Sequence, residues 1–264
     1  MATFYEFKKI VGRMFGCGNI EENENDIGVS IQNRHYLGET SNIIDFIISN
    51  SELKELYDRT MTIYNENLEL YSANYYEIAI DLDYPLLRRE TYPVVSDDTS
   101  NGIKYILGFP TMEYCTFLLI SIVDIRNRQN SHRLSLPTRL MRPLDSIRRF
   151  GNDEQEFSLQ NLLPRMIGEL SLKIETTESK SLGAFRKYKT SFIFQFMYRS
   201  GLALIEFPNI EEMFHLNRTV RERVDFEQLD TPPLREYMSD VVDYYKLALS
   251  SNDAYIKYLS IKHI

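Results

Sequence analysis

The chain has 264 residues, 43% hydrophobic and 26% charged, so it is long enough for one large domain or two small ones. A net charge of −8 excludes global attraction to nucleic acid or to an anionic membrane. Its two cysteines, Cys17 and Cys115, lie far apart, which excludes a disulfide framework and a C-x-x-C metal pair and suits a reducing, cytoplasmic setting.

The first predicted element covers 2–15, where Phe4, Phe7, Ile10, Val11, Met14 and Phe15 recur at helical spacing until Gly16 and Gly18. No apolar signal-peptide run opens the chain, and Glu6 stands early in it. The acidic run 21–26 reads as a solvated loop, followed to about 41 by irregular structure or short strands around Gly28, Asn33 and Gly38. Ser51 is placed to cap a helix reaching roughly residue 71 through Leu53, Leu56, Tyr57 and Met61.

Alternation of Ile78, Ile80 and Leu82 with Glu77, Ala79 and Asp81 predicts a strand over 75–82 with one polar face. Pro85, Pro93 and the polar cluster 97–102 mark loops. Two further apolar, β-branched runs, 103–107 and 117–125, are read as strands, with periodicity leaving a buried helix open for the second. The longest apolar stretch, 116–123, falls far short of the about 20 residues a membrane helix needs, so no membrane partner is expected.

From Ser158 the pattern is mostly helical, with one strand expected at 170–174. The aromatic segment 185–207 reads as a buried helix interrupted near Gly201. Asp230-Thr231-Pro232-Pro233 is a helix start signal, and Leu234, Tyr237, Met238, Val241, Val242, Tyr245, Ala248 and Leu249 follow at helical spacing. Ser250-Ser251-Asn252-Asp253 breaks that helix and another begins, which Ile264 leaves in mid-pattern. The expected fold class is α+β: a mixed front over about 1–155, a mainly helical rear over 156–264, and the start of a further domain from about 231.

The segment Asp243-Tyr244-Tyr245-Lys246-Leu247-Ala248-Leu249-Ser250-Ser251-Asn252-Asp253-Ala254-Tyr255-Ile256-Lys257-Tyr258-Leu259 resembles the opening of an ApeA-like HEPN domain. Such domains begin with a helix ending near A-L-x-S, a short Asn/Asp turn, and a second helix of the form Y-I/L-x-Y/F-L. The resemblance implies a helical ribonuclease of prokaryotic antiphage defence. Residues 1–230 would be its sensing or scaffolding part, and its Arg…His catalytic signature would fall beyond Ile264. It also implies that the apolar faces of 237–249 and 255–264 dock on further helices or on a second copy, making a homo-oligomer.

One motif within the chain has matching chemistry. Arg126-Asn127-Arg128-Gln129-Asn130-Ser131-His132 has the Arg-Asn-x-x-x-x-His form. His132, with an ordinary pKa of about 6.5, suits general acid/base work; Arg126 would hold the scissile phosphate, and Asn127 would orient the pair. The surrounding segment 126–149 holds seven arginines and one acid, a charge of +6 that leaves −14 for the remainder. Arg128, Arg133, Arg139, Arg142, Arg148 and Arg149 therefore form a candidate surface for RNA or for an acidic protein partner. The alternative reading has these arginines pair with the chain's own surplus acids.

No cofactor or metal is expected. His35, His132, His215 and His263 are scattered without ligand spacing, and Gly16-Cys17-Gly18 lacks the third glycine of a phosphate loop. Asp81 and Asp83 with Lys173 evoke a metal nuclease, but Ser171 stands where that pattern needs an acid. Three functions follow: a sensing region of a HEPN-type ribonuclease, a self-contained metal-independent endoribonuclease using Arg126 and His132, or a non-catalytic interaction scaffold.

Overall fold

The computed structural model describes residues 2–15, 19–22, 26–32, 43–82, 93–128, 158–167, 170–213, 236–251, 256 and 260. It is an α+β protein whose chain divides into two compact units, 1–63 with 111–168 and 64–110 with 169–264. Composition placed a soft boundary near 155; the units change over after Ile63, Pro110 and Gly168.

In the first unit, helix α1 (Phe4–Met14) starts where Thr3 and Glu6 cap each other reciprocally, and it buries Phe7, Ile10, Val11 and Met14. Strands β1 (Asn19–Glu22), β2 (Asp26–Gln32) and β3 (Ile43–Ser49) form an antiparallel sheet in that order. Part of the expected acidic loop is thus strand, and residues 23–25 lie outside the described set. Helix α2 (Asn50–Met61) packs on α1, with the Tyr57 hydroxyl donating to the Ala2 carbonyl at 2.7 Å.

Helix α3 (Met112–Arg128) corrects the expected strand at 117–125. Pro110 and Thr111 punctuate its start, and the Thr111 hydroxyl accepts from the Tyr114 amide at 3.2 Å. The run after them is long enough for helical turns whose residues are buried on most sides, so its β-branched content misleads: Tyr114, Cys115, Phe117, Leu118, Leu119, Ile120 and Val123 are all buried. α3 packs on α1, α2 and α4 (Leu159–Ile167).

The second unit is a seven-stranded sheet. β4 (Tyr64–Glu66), β5 (Glu69–Tyr71), β6 (Tyr75–Leu82), β9 (Leu170–Thr176), β8 (Ile103–Gly108) and β7 (Val94–Asp98) lie side by side in that order, every pair antiparallel. The β4–β5 hairpin turns at Asn67, whose φ is 54°, so the helix expected to reach about 71 ends at Met61. β10 (Leu204–Glu206) also pairs with β6. Ile78 sits between Glu69 and Leu172, and Ile80 between Glu206 and Leu170, so β5 and β10 lie end to end along one side of β6.

Helix α5 (Leu182–Ser200) covers the face of this sheet that carries Tyr76, Tyr105 and Ile174. Its Phe185 and Phe192 rings stack on Tyr76 and Tyr105 at 5.7 and 5.2 Å. Gly201, at φ 68°, ends it with its amide on the Met197 carbonyl at 2.9 Å, and the chain turns into β10. A short helix α6 (Ile210–Met213) follows. Helix α7 (Ser239–Ser250) begins later than the prolines predict, at an extended Met238, while 230–235 lie outside the described residues. Of the second C-terminal helix, Ile256 and Ser260 are described, both helical. No helix among the described residues is long and apolar enough to cross a membrane.

Candidate functional site: a chain of carboxylates and cations across the larger sheet

The Arg126-Asn127-Arg128 motif lies in the last turn of α3, where the helix dipole favours cations. Asn127 is exposed and donates from Nδ2 to Glu6 Oε1 at 3.1 Å. Glu6 is the acid of the α1 capping box; the Thr3 backbone amide first, and Asn127 second, hold its carboxyl below the ordinary value. In this structure Asn127 joins the end of α3 to the start of α1. His132, Arg133, Arg139, Arg142, Arg148 and Arg149 lie outside the described residues, as do the side chains of Arg126 and Arg128.

The densest polar arrangement lies elsewhere, on the α5 side of the larger sheet. Register places Glu66, Glu69 and Glu206 on that face, the last two beside Ile78 and Ile80 of β6. Helical spacing of three residues aims Arg186 and Lys189 of α5 at the same strip. Arg186 donates to Glu69 Oε2 from Nε at 2.9 Å and from Nη2 at 2.5 Å, and its Nη2 also meets Glu66 Oε1 at 2.9 Å. The Tyr76 hydroxyl donates to Glu69 Oε1 at 2.6 Å. Lys189 Nζ bridges Glu206 Oε2 at 2.5 Å and Glu69 Oε1 at 3.4 Å. Lys246 of α7 then donates to Glu206 Oε1 at 3.3 Å and lies 3.7 Å from Asp243.

Charges alternate along this chain, from Glu66 through Arg186, Glu69, Lys189, Glu206 and Lys246 to Asp243. The Glu69 and Lys189 side chains are only 8% and 10% exposed, which pairing makes tolerable. Burial pushes the Glu69 carboxyl up, but hydrogen bonds from Arg186 and Tyr76 and the charge of Lys189 outweigh it and hold Glu69 low. At Glu206 burial again acts upward, and Lys189 and Lys246 overcome it. Carboxylates so held are poor general bases near neutrality. Among the described residues no group of three or more His, Cys, Asp or Glu is placed to hold a metal. What the arrangement can do is position: it joins β4, β5, α5, β10 and α7.

The opposite face of β6 carries a second buried carboxylate, Glu77, which accepts from the Tyr75 hydroxyl and from Ser171 Oγ, the latter at 2.6 Å. Ala79 and Asp81 are also buried, so this face of β6 is covered too. Lys173 pairs with Glu175 at 3.0 Å.

Sequence reasoning missed Glu69, Glu206 and Lys189. The available signal was a lysine among aromatic residues in 185–207, a run read as core, with charges tolerated there only if paired. No protein-family model, curated protein or solved structure matches this chain.

Proposed function

We propose that this chain is the sensing and regulatory region of a HEPN-type ribonuclease of antiphage defence, acting in the cytoplasm, with α7 as the element that carries its state onward. The observation behind this reading is the seating of α7, which bears the first half of the HEPN-like segment. Its Lys246 joins Glu206, and its Tyr245, with Tyr237 just before the helix, packs on Phe194 of α5 at 5.4 and 4.1 Å. The helix that resembles a nuclease opening thus rests on the sheet unit through specific contacts. The arginine-rich stretch supplies the surface for RNA or an acidic partner, and the C-terminal helices the surface for a second copy.

The coding sequence after the Ile264 codon tests the nuclease assignment: further amphipathic helices with a late Arg…His pair are expected, and a stop codon there overturns it. RNA binding tests the recognition surface. Joint replacement of Arg139, Arg142, Arg148 and Arg149 by Gln should lower the salt slope of binding by about 0.7 per lost phosphate contact. An unchanged slope overturns it.

One observation favours a second reading, that the chain cleaves RNA itself with Arg126 and His132. Residues 126–128 close a helix, and HEPN domains carry their Arg…His motif at a helix. On this reading His132→Ala abolishes RNA cleavage by the purified chain; on the first reading the chain does not cleave RNA at all.

A further inference from the structure

Strand β10 and helix α7 meet at Glu206. β10 is three residues long and, among the described residues, pairs only with β6. α7 buries Val242 and Ala248, yet Tyr244 and Leu247 are 41% and 48% exposed and Met238 before them 74%. A single carboxylate, Glu206, takes one lysine from α5 and one from α7.

The links of the ionic chain are not equivalent. Separating Lys189 from its acids leaves Glu69 and Glu206, neighbours along β6, to face each other without a shared cation. Opening Lys246 from Glu206 strands nothing: Glu206 keeps Lys189, Glu69 keeps Arg186 and Tyr76, and Lys246, itself 20% exposed, keeps Asp243. A buried charge left alone is what makes ion-pair rupture expensive, so of the two lysine links at Glu206 the one to Lys246 opens more easily. α7 is also held by its buried Val242 and Ala248 and by the cluster of Phe194, Tyr237 and Tyr245, with Lys187 and Glu236 at 3.1 Å on its rim.

We infer that α7 is a releasable strap, latched at the Lys246–Glu206 pair, which leaves α5 while the seven-stranded sheet and its other ion pairs stay intact. This rests on reading α7 as the output element and adds how that output is switched.

Hydrogen exchange followed by mass spectrometry on the full chain tests it. The strap predicts that amides of 239–250 exchange at least about tenfold faster than those of α5 and β6, through a local opening. It further predicts that the gap widens from about 0.1 M to about 1 M salt, as the screening length falls from roughly 10 to roughly 3 Å. Lys246→Met should widen the gap at low salt and reduce its salt dependence, with α5 and β6 unchanged. Equal protection of α7 and α5 at both salt concentrations in the wild-type chain overturns the proposal, as does a Lys246→Met effect spread evenly over the sheet. A stop codon after Ile264 would remove the nuclease reading and leave this exchange pattern as it is, so the two fail separately.

Discussion

Helices α3 and α5 are the central helices of the two units, and they are buried by different means. α3 is enclosed by apolar side chains from Tyr114 to Val123, with Thr116 the buried polar exception. α5 buries Phe185, Phe192, Ile193, Phe196 and Met197 together with Lys189, Ser191 and Gln195, and it reaches three acids on its sheet. Apolar packing supplies cohesion that is indifferent to direction, whereas the charges of α5 are satisfied in one alignment with β5 and β10. The first arrangement holds a unit together; the second specifies how its parts are aligned.

The largest test of the contrast is Leu119→Ala in α3, fully buried, which should destabilise by about 2–5 kcal/mol in thermal or denaturant unfolding. That loss should be the same at low and high salt. Lys189→Met should cost about 3 kcal/mol, because it leaves Glu69 and Glu206 side by side, and added salt should recover part of it. A cost independent of salt would put α5 in the same class as α3.

Acid is a gentler probe. Glu69 and Glu206 are held below their ordinary values in the folded chain, so their stabilisation is complete above the unfolded carboxylate value of about 4.3. It is lost as pH falls through the lower folded values. Stability measured against pH should therefore decline on the acid side, and Glu206→Gln should flatten that decline. The smallest effect expected is from Thr116→Val: the buried hydroxyl has no hydrogen-bond partner among the described residues, so its removal should stabilise by about 1 kcal/mol.

The contrast also explains what could be read in advance. Residues 75–82, 103–107 and 170–174 announced their strands by short apolar patterns between turn signals, and Phe4, Phe7, Ile10, Val11 and Met14 at helical spacing announced α1. α3 was misread because Thr116, Ile120, Ile122 and Val123 favour strands when judged alone, and burial on most sides removes the helical stripe. The hairpin at 64–71 was missed because Leu53, Leu56, Leu68 and Leu70 continue an apolar rhythm across the Asn67 turn. The ionic chain was illegible for a different reason: Glu69, Lys189 and Glu206 meet only through β6, and spacing along the chain says nothing of strand neighbours. Motif spacing found Arg126, Asn127 and His132, and of these the structure describes the place of the first two in α3 and one contact, from Asn127 to Glu6.

The end-to-end seating of β5 and β10 along β6 bears on how the protein is made. Residues 69–71 emerge from the ribosome long before 204–206, and at about 5–20 residues per second the gap between them is several seconds or more. Through that interval the half of β6 from Ile80 to Leu82 has no strand from β10 to close its side. The nascent chain thus carries an open apolar edge for as long as its own later half is being synthesised, and that window is when a chaperone or a stray strand could reach it.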